Sequence, residues 1–189
     1  GFSYQRCTQL GKQPVAKDIF SVISNVVSRF GQSTYGLPAQ KEIVETRKLV
    51  GFSVLGDNYV MPLNELSEVL DVPECTKLPR VKSWVRGLAN VRGRLLPIID
   101  LADFLGGSLA GSVRDRRVLV LDMDGIYVGL IVDAVQGIKS LAVDSYRESR
   151  NNGPLVHFID GSFTEENQDT PLFCAHKLIE DSQFMSVSV

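Results

Sequence analysis

The chain has 189 residues, 44% of them apolar and 22% charged, enough to bury roughly 70% of the surface that the unfolded form exposes, which excludes a disordered chain. With 20 Lys and Arg against 22 Asp and Glu the net charge is -2, so any binding to nucleic acid or anionic lipid would need a local basic patch. The longest apolar runs, 95–99 and 129–132, fall far short of the roughly 20 residues that cross a bilayer, which excludes direct membrane insertion by a helix.

Within residues 14–30, Ile19, Phe20, Ile23, Val26, Val27 and Phe30 recur at spacings of three and four, with Asp18 and Ser21 near the start and Gly31 past the end. That spacing predicts an amphipathic helix. Residues 31–47 mix Gly, Ser, Pro and charge without a period and read as a connecting arm, so residues 1–46 form a helical appendage. Beyond them the chain is expected to be mainly β. Short runs of Val, Ile, Leu and aromatics are bounded by turn residues at intervals too close for βαβ units.

A first hairpin is expected from 49–55, the turn Gly56-Asp57-Asn58 and 59–63; a second from 117–123, the turn Asp124-Gly125 and 126–132, since Gly, Asn and Asp tolerate the positive φ of tight loops. The sequels are alike. After the first hairpin come a strand-like segment at 66–72, a strand-turn-strand around 87–99 and a helical stretch at 100–105. The second is followed by 133–141, a strand near 155–159, a turn at Gly161 and a helical stretch at 173–179. One plan used twice predicts two small five-stranded barrels, about 47–105 and 114–181, joined at the Gly- and Ser-rich segment 106–112 and trailed by a tail at 182–189.

Residues 85–101 are the most informative stretch. Gly87 and Gly93 bracket a turn in which Asn90 can bond its own backbone, and Asp100 is placed to cap the next helix. Arg80, Lys82, Arg86, Arg92 and Arg94 lie here with no acid between Glu74 and Asp100, a concentration of positive charge on a rigid bend. Residues 87–101 resemble the G-x-x-N-x-R-G-x-x-x-P-x-x-D-L signature of CheW-type coupling domains, and 129–135 are similar to that family's second signature, G-x-x-V-D-x-V. Both stand in the family's order, and the similarity extends over about 47–181. Residues 36–40 and 84–97 are most similar to the subgroup that serves type IV pilus twitching systems.

The resemblance implies two SH3-like barrels and an adaptor without chemistry of its own, cytoplasmic and associated with membrane receptor arrays. Its implied partners are the cytoplasmic tip of a methyl-accepting chemoreceptor and the regulatory domain of a CheA-type histidine kinase. Leu66, Glu68, Gly87, Asn90, Arg92, Gly93, Val135 and Ile138 fall at or beside the positions that the family uses for coupling. Two readings of Arg92 stay open: a fork to a partner carboxylate, or a brace on the backbone of the 87–93 turn. For Leu66, Val135 and Ile138, barrel core and groove lining are both open.

Other chemistries find less support. Residues 118–125 match the strand-D-x-D-G start of haloacid dehalogenase phosphatases, in which Asp122 would be nucleophile and Asp124 general acid. Another β-run follows immediately at 126–132, too close for the crossover helix that such a parallel sheet requires. Nucleic-acid binding lacks aromatics interleaved with the basic bend, and Trp84 is expected to pack inward. Cys7, Cys75, Cys174, His157 and His176 show no metal-ligand spacing, so neither metal nor cofactor is expected.

Overall fold

The computed structural model describes residues 44–148 and 153–188; the helix expected at 14–30 lies outside the described residues. Among the described residues eleven strands form: β1 (Thr46–Val54), β2 (Asp57–Pro62), β3 (Leu66–Asp71), β4 (Val85–Val91), β5 (Arg94–Asp100), β6 (Arg117–Met123), β7 (Ile126–Val132), β8 (Ala134–Ala142), β9 (Tyr146–Arg147), β10 (Ile159–Glu165) and β11 (Gln168–Phe173). Short helices follow β5 and β11, namely α1 (Leu101–Phe104), α2 (Ala175–Ile179) and α3 (Ser182–Met185).

Hairpins organise the described residues, and the four found there use a two-residue loop with positive φ at both positions: Leu55-Gly56, Arg92-Gly93, Asp124-Gly125 and Glu166-Asn167. Such loops match the right-handed twist of the flanking strands. Asp124-Gly125 falls where the sequence placed it. The first turn is shifted to Leu55-Gly56, because pairing of Val54 with Asp57 outweighs the residue preference of the loop. Gly161 is not a turn either: it lies within β10 at a register shift, and part of the strand expected at 155–159 is a 3-10 turn, Val156–Phe158.

The strands are ordered β8-β1-β2-β11-β10-β9 in one sheet and β3-β6-β7-β5-β4 in the other. Both follow one wiring. A hairpin (β10-β11 or β4-β5) makes a parallel step, through Leu172 and Val60 or through residues 98–100 and 129–131, onto a second hairpin (β2-β1 or β7-β6). An antiparallel strand (β8 or β3) completes the row. The repeat is therefore present, but the expected division at 106–112 is corrected: the two halves exchange their leading hairpins. β1-β2 joins β8 to β11, while β6-β7 joins β3, β4 and β5. Local patterning marks strands without naming their partners, and the parallel step joins segments far apart in sequence.

Each row closes on itself. The chain beyond β3 bridges back to β4, Thr76 N–H donating to the Leu88 carbonyl at 2.8 Å and Leu88 N–H to the Thr76 carbonyl at 3.0 Å. In the other row β8 passes through the 3-10 turn Val143–Ser145 into β9, which pairs with β10. The result is two SH3-like barrels, one of whose closing strands is broken in two.

This closure explains the long apolar runs. Ala89, Leu96, Ile98, Val118, Val120 and Ile131 fill one barrel, and Leu49, Val60, Leu141, Phe163 and Leu172 fill the other. A third and larger cluster, with Phe52, Tyr59, Leu119, Leu121, Leu130 and Phe173, takes residues from both sheets and forms the seam between them. Successive residues of β6 point alternately into the barrel and into the seam, so residues 118–121 are all buried. At the C-terminal end, Phe184 of α3 stacks on Trp84 with ring centroids 6.1 Å apart and meets Phe104 edge-on at 5.3 Å. Lys82 N–H donates to the Val187 carbonyl at 2.9 Å. Residues 182–188 are thus docked rather than a free tail, and Trp84 packs inward as expected.

Candidate functional site

The first signature folds into the β4-β5 hairpin and its continuation. Gly87 lies at a register shift against β5 with φ +138°; a Cβ there would meet the Thr76 carbonyl oxygen at 2.2 Å. This glycine exists to let the closing bridge approach, a role distinct from partner contact. Asn90 Oδ1 accepts from Gly93 N–H at 2.9 Å, the turn bond anticipated from its side chain. Arg92, with φ +51°, occupies a loop position that favours Asn, Asp or Gly, at a cost of about 1–2 kcal/mol.

The Arg92 guanidinium reaches β3, where its Nη2 lies 2.8 Å from Glu68 Oε2; its side chain stays 77% exposed, against 21% for Glu68. Two residues singled out separately are one ion pair. This pair ties the turn to a carboxylate on β3 rather than to the turn carbonyls of the brace reading, and it leaves the guanidinium largely open to solvent. Beside it, Arg94 Nη1 bonds Asp122 Oδ2 at 2.8 Å and its guanidinium carbon sits 3.7 Å from the centre of the Tyr127 ring. The Asp122 hydrogen bond raises the pKa of Arg94 further. Arg86 pairs with Asp100. The basic bend is thus largely neutralised, leaving Arg80 and Lys82 without an ion pair among the described residues.

The two signature aspartates turn inward. Asp100, 2% exposed, caps α1 by accepting from Asp103 N–H at 3.0 Å and also holds Arg86. Asp133, 5% exposed, accepts from Gly56 N–H at 2.9 Å and Ala110 N–H at 2.6 Å. It ties the first hairpin loop and the joint to the end of β7. Sequence reading missed this role, although a lone carboxylate ending a buried apolar run is the available signal, because buried acids must be bonded.

Leu66 and Val135 are half-buried against the seam cluster. Ile138, on the same strand as Val135, is 64% exposed, and Leu95, paired with Asn90 across the hairpin, is 63% exposed. Leu95 was not among the candidates, since it opens an apolar run that otherwise reads as core. The structure brings together Glu68, Asn90, Arg92 and Gly93, with Leu95 and Arg94 added; it sets Gly87 at the barrel closure and Ile138 on the other sheet.

Asp122 and Asp124 close a β-hairpin whose strands pair without interruption from Arg117 and Val132 to Met123 and Ile126. Their carboxylates are engaged by Arg94 and by His176, whose Nε2 is 3.1 Å from Asp124 Oδ2. The antiparallel pairing removes the strand-end arrangement that the phosphatase reading needs. A hairpin turn accounts for the D-x-D-G match.

Two closed barrels on a shared seam, with their signature acids spent on internal braces and a charged, apolar-edged hairpin outside, define a docking module. The chain belongs to the CheW-like domain family, whose model matches residues 48–183. It is 41% identical to the protein PilI of Pseudomonas aeruginosa over 172 residues, which cover 90% of this chain and 96% of PilI. FrzA of Myxococcus xanthus is 34% identical over 84 residues, 44% of this chain and 52% of FrzA. Among solved structures, the scaffolding protein TtCheW of Thermoanaerobacter tengcongensis matches with a TM-score of 0.64 at 26% identity, over 74% of this chain and 96% of that one. The chain is an adaptor of the chemotaxis type rather than an enzyme. No helix among the described residues is long and apolar enough to cross a membrane.

Proposed function

We propose that this chain couples the cytoplasmic tip of a methyl-accepting chemoreceptor to the regulatory domain of a CheA-type histidine kinase, in a receptor array that controls type IV pilus twitching. The similarity to PilI over nearly the whole chain supports the pilus assignment. The observation that carries the docking role is Arg92: a charged residue at the tip of the β4-β5 hairpin, paired to Glu68 yet 77% exposed. Nearby Leu95 offers apolar area, and an interface of about 800 Å² per partner with a few such anchors suffices for reversible assembly.

The test is binding of purified receptor tip and kinase regulatory domain, each titrated separately against the wild type, Arg92→Glu, Leu95→Asp and Ile138→Asp. Wild type binds both. At least one outward-facing variant loses affinity for one partner by tenfold or more while its circular dichroism spectrum stays unchanged. A folded wild type that binds neither partner would overturn the proposal.

A further inference from the structure

Beneath the β6-β7 hairpin lies a side-chain cluster that the adaptor reading does not use. We propose that Cys174, His176 and Glu65 form a site for one thiophilic divalent transition-metal ion of the zinc type, with Asp124 holding the imidazole from behind. One potential ligand atom from each of the three residues lies within 4.8 Å of the others. Thiolate, imidazole and carboxylate together suit zinc, at about 2.0–2.3 Å per bond, with a fourth position open to water.

The geometry is already arranged for such an ion. His176 Nδ1 and Glu65 Oε1 are 3.7 Å apart, too far for a hydrogen bond but close to the spacing of two ligands on one tetrahedral ion. The other imidazole nitrogen is 3.1 Å from Asp124 Oδ2, the carboxylate–histidine support that ligating imidazoles commonly have. The other oxygen of Glu65 accepts from Ala175 N–H at 3.1 Å, which fixes the carboxylate and leaves Oε1 aimed at the cluster.

Electrostatics favour a cation. Glu65, Asp124 and Asp160 present negative charge around the cluster, and the nearby Lys177 ammonium is held 2.6 Å from Asp160. Burial, with added repulsion from Asp160 and Glu65, pushes the Cys174 thiol up, while a hydrogen bond from the Lys177 backbone pulls it down.

Glu65 ends the 3-10 turn Leu63–Glu65 that carries the chain from β2 in one sheet to β3 in the other, and Cys174 and His176 belong to the start of α2. An ion here would pin the crossing between the barrels to the C-terminal helices. Sequence spacing concealed the site because Glu65 is distant in the chain from the Cys-x-His pair.

The experiment is a cobalt titration of the full chain, stripped with chelator and free of any polyhistidine tag, followed by thiolate-to-cobalt charge-transfer absorption and by zinc competition. One equivalent of cobalt develops the band; Cys174→Ser abolishes it, Cys75→Ser and Cys7→Ser retain it, and Asp124→Asn weakens affinity about 10- to 100-fold. Zinc raises the melting temperature of the wild type but not of His176→Gln, whose circular dichroism spectrum verifies its fold. No band in the folded wild type, or a band that survives Cys174→Ser, overturns the site.

Discussion

Replacing Gly87 by Ala separates a steric requirement from a partner contact. The added methyl would lie 2.2 Å from the Thr76 carbonyl oxygen and 2.8 Å from its carbonyl carbon, against an ordinary separation of more than 3 Å. Both obstructing atoms are backbone, so no rotamer change relieves the overlap. Relief requires pulling the bridge away from β4, losing the two bonds between Thr76 and Leu88 at about 1 kcal/mol each. The positive φ adds about 1–2 kcal/mol for a residue with a Cβ, giving a loss of roughly 3–4 kcal/mol from a total that is typically about 5–15 kcal/mol. Gly93→Ala is the internal comparison: φ is also positive there, but no atom lies within 4 Å of the new carbon, so only the backbone cost of about 1–2 kcal/mol remains. Urea unfolding of both variants measures the difference, and hydrogen exchange adds a local readout, since the Thr76 and Leu88 amides should lose protection selectively in Gly87→Ala. If Gly87→Ala unfolds within 1 kcal/mol of wild type with those amides still protected, the closure argument is wrong.

A double-mutant cycle on Glu68 and Arg92 should give a coupling in stability of no more than about 1 kcal/mol, because one partner is largely in water; a larger value from chemical denaturation would mean the pair is a structural keystone. Among the described residues nothing hydrogen-bonds the buried Tyr59 hydroxyl, and burial together with the Asp57 charge pushes its pKa up to about 12. The fold therefore favours the neutral phenol, so this contribution is complete below pH 10 and is lost as pH rises from about 10 to 12, by up to about 3 kcal/mol. Tyr59→Phe should match or exceed wild-type stability at pH 7 and escape that alkaline loss; identical alkaline unfolding curves for the two proteins would disprove it. Cutting the chain at Ser108 should yield two fragments that are each unfolded alone and regain the native circular dichroism spectrum only when mixed, because each barrel takes a hairpin from the other half. Independent folding of either fragment would contradict the exchanged wiring.

Much of this was legible because strands announce themselves locally. The Asp124-Gly125 turn, the Asp100 cap and the inward Trp84 each follow from chemistry within a few residues, and they fall where expected. Pairing across the chain was not legible. Nothing in residues 49–63 says that their hairpin sits beside β11 rather than β3, since an apolar strand fits either neighbour. The same blindness separated Glu68 from Arg92 and hid the cluster at Cys174. Ion pairs depend on which strands become neighbours, so reading the basic bend by sequence alone overstated its free charge. Leu55 and Arg92 in positive-φ loop positions show the converse, with strand register overriding residue preference.

The crossed wiring also sets an order of events during synthesis. The barrel built from β3 to β7 has all its strands once Val132 has left the ribosome. Although made earlier, β1 must wait for β8, and β2 for β11, more than a hundred residues later. Through that interval the nascent chain carries an unsheltered hairpin with a greasy face, and such intermediates recruit chaperones or aggregate. Translation speed across residues 133–173 should therefore govern the yield of usable adaptor.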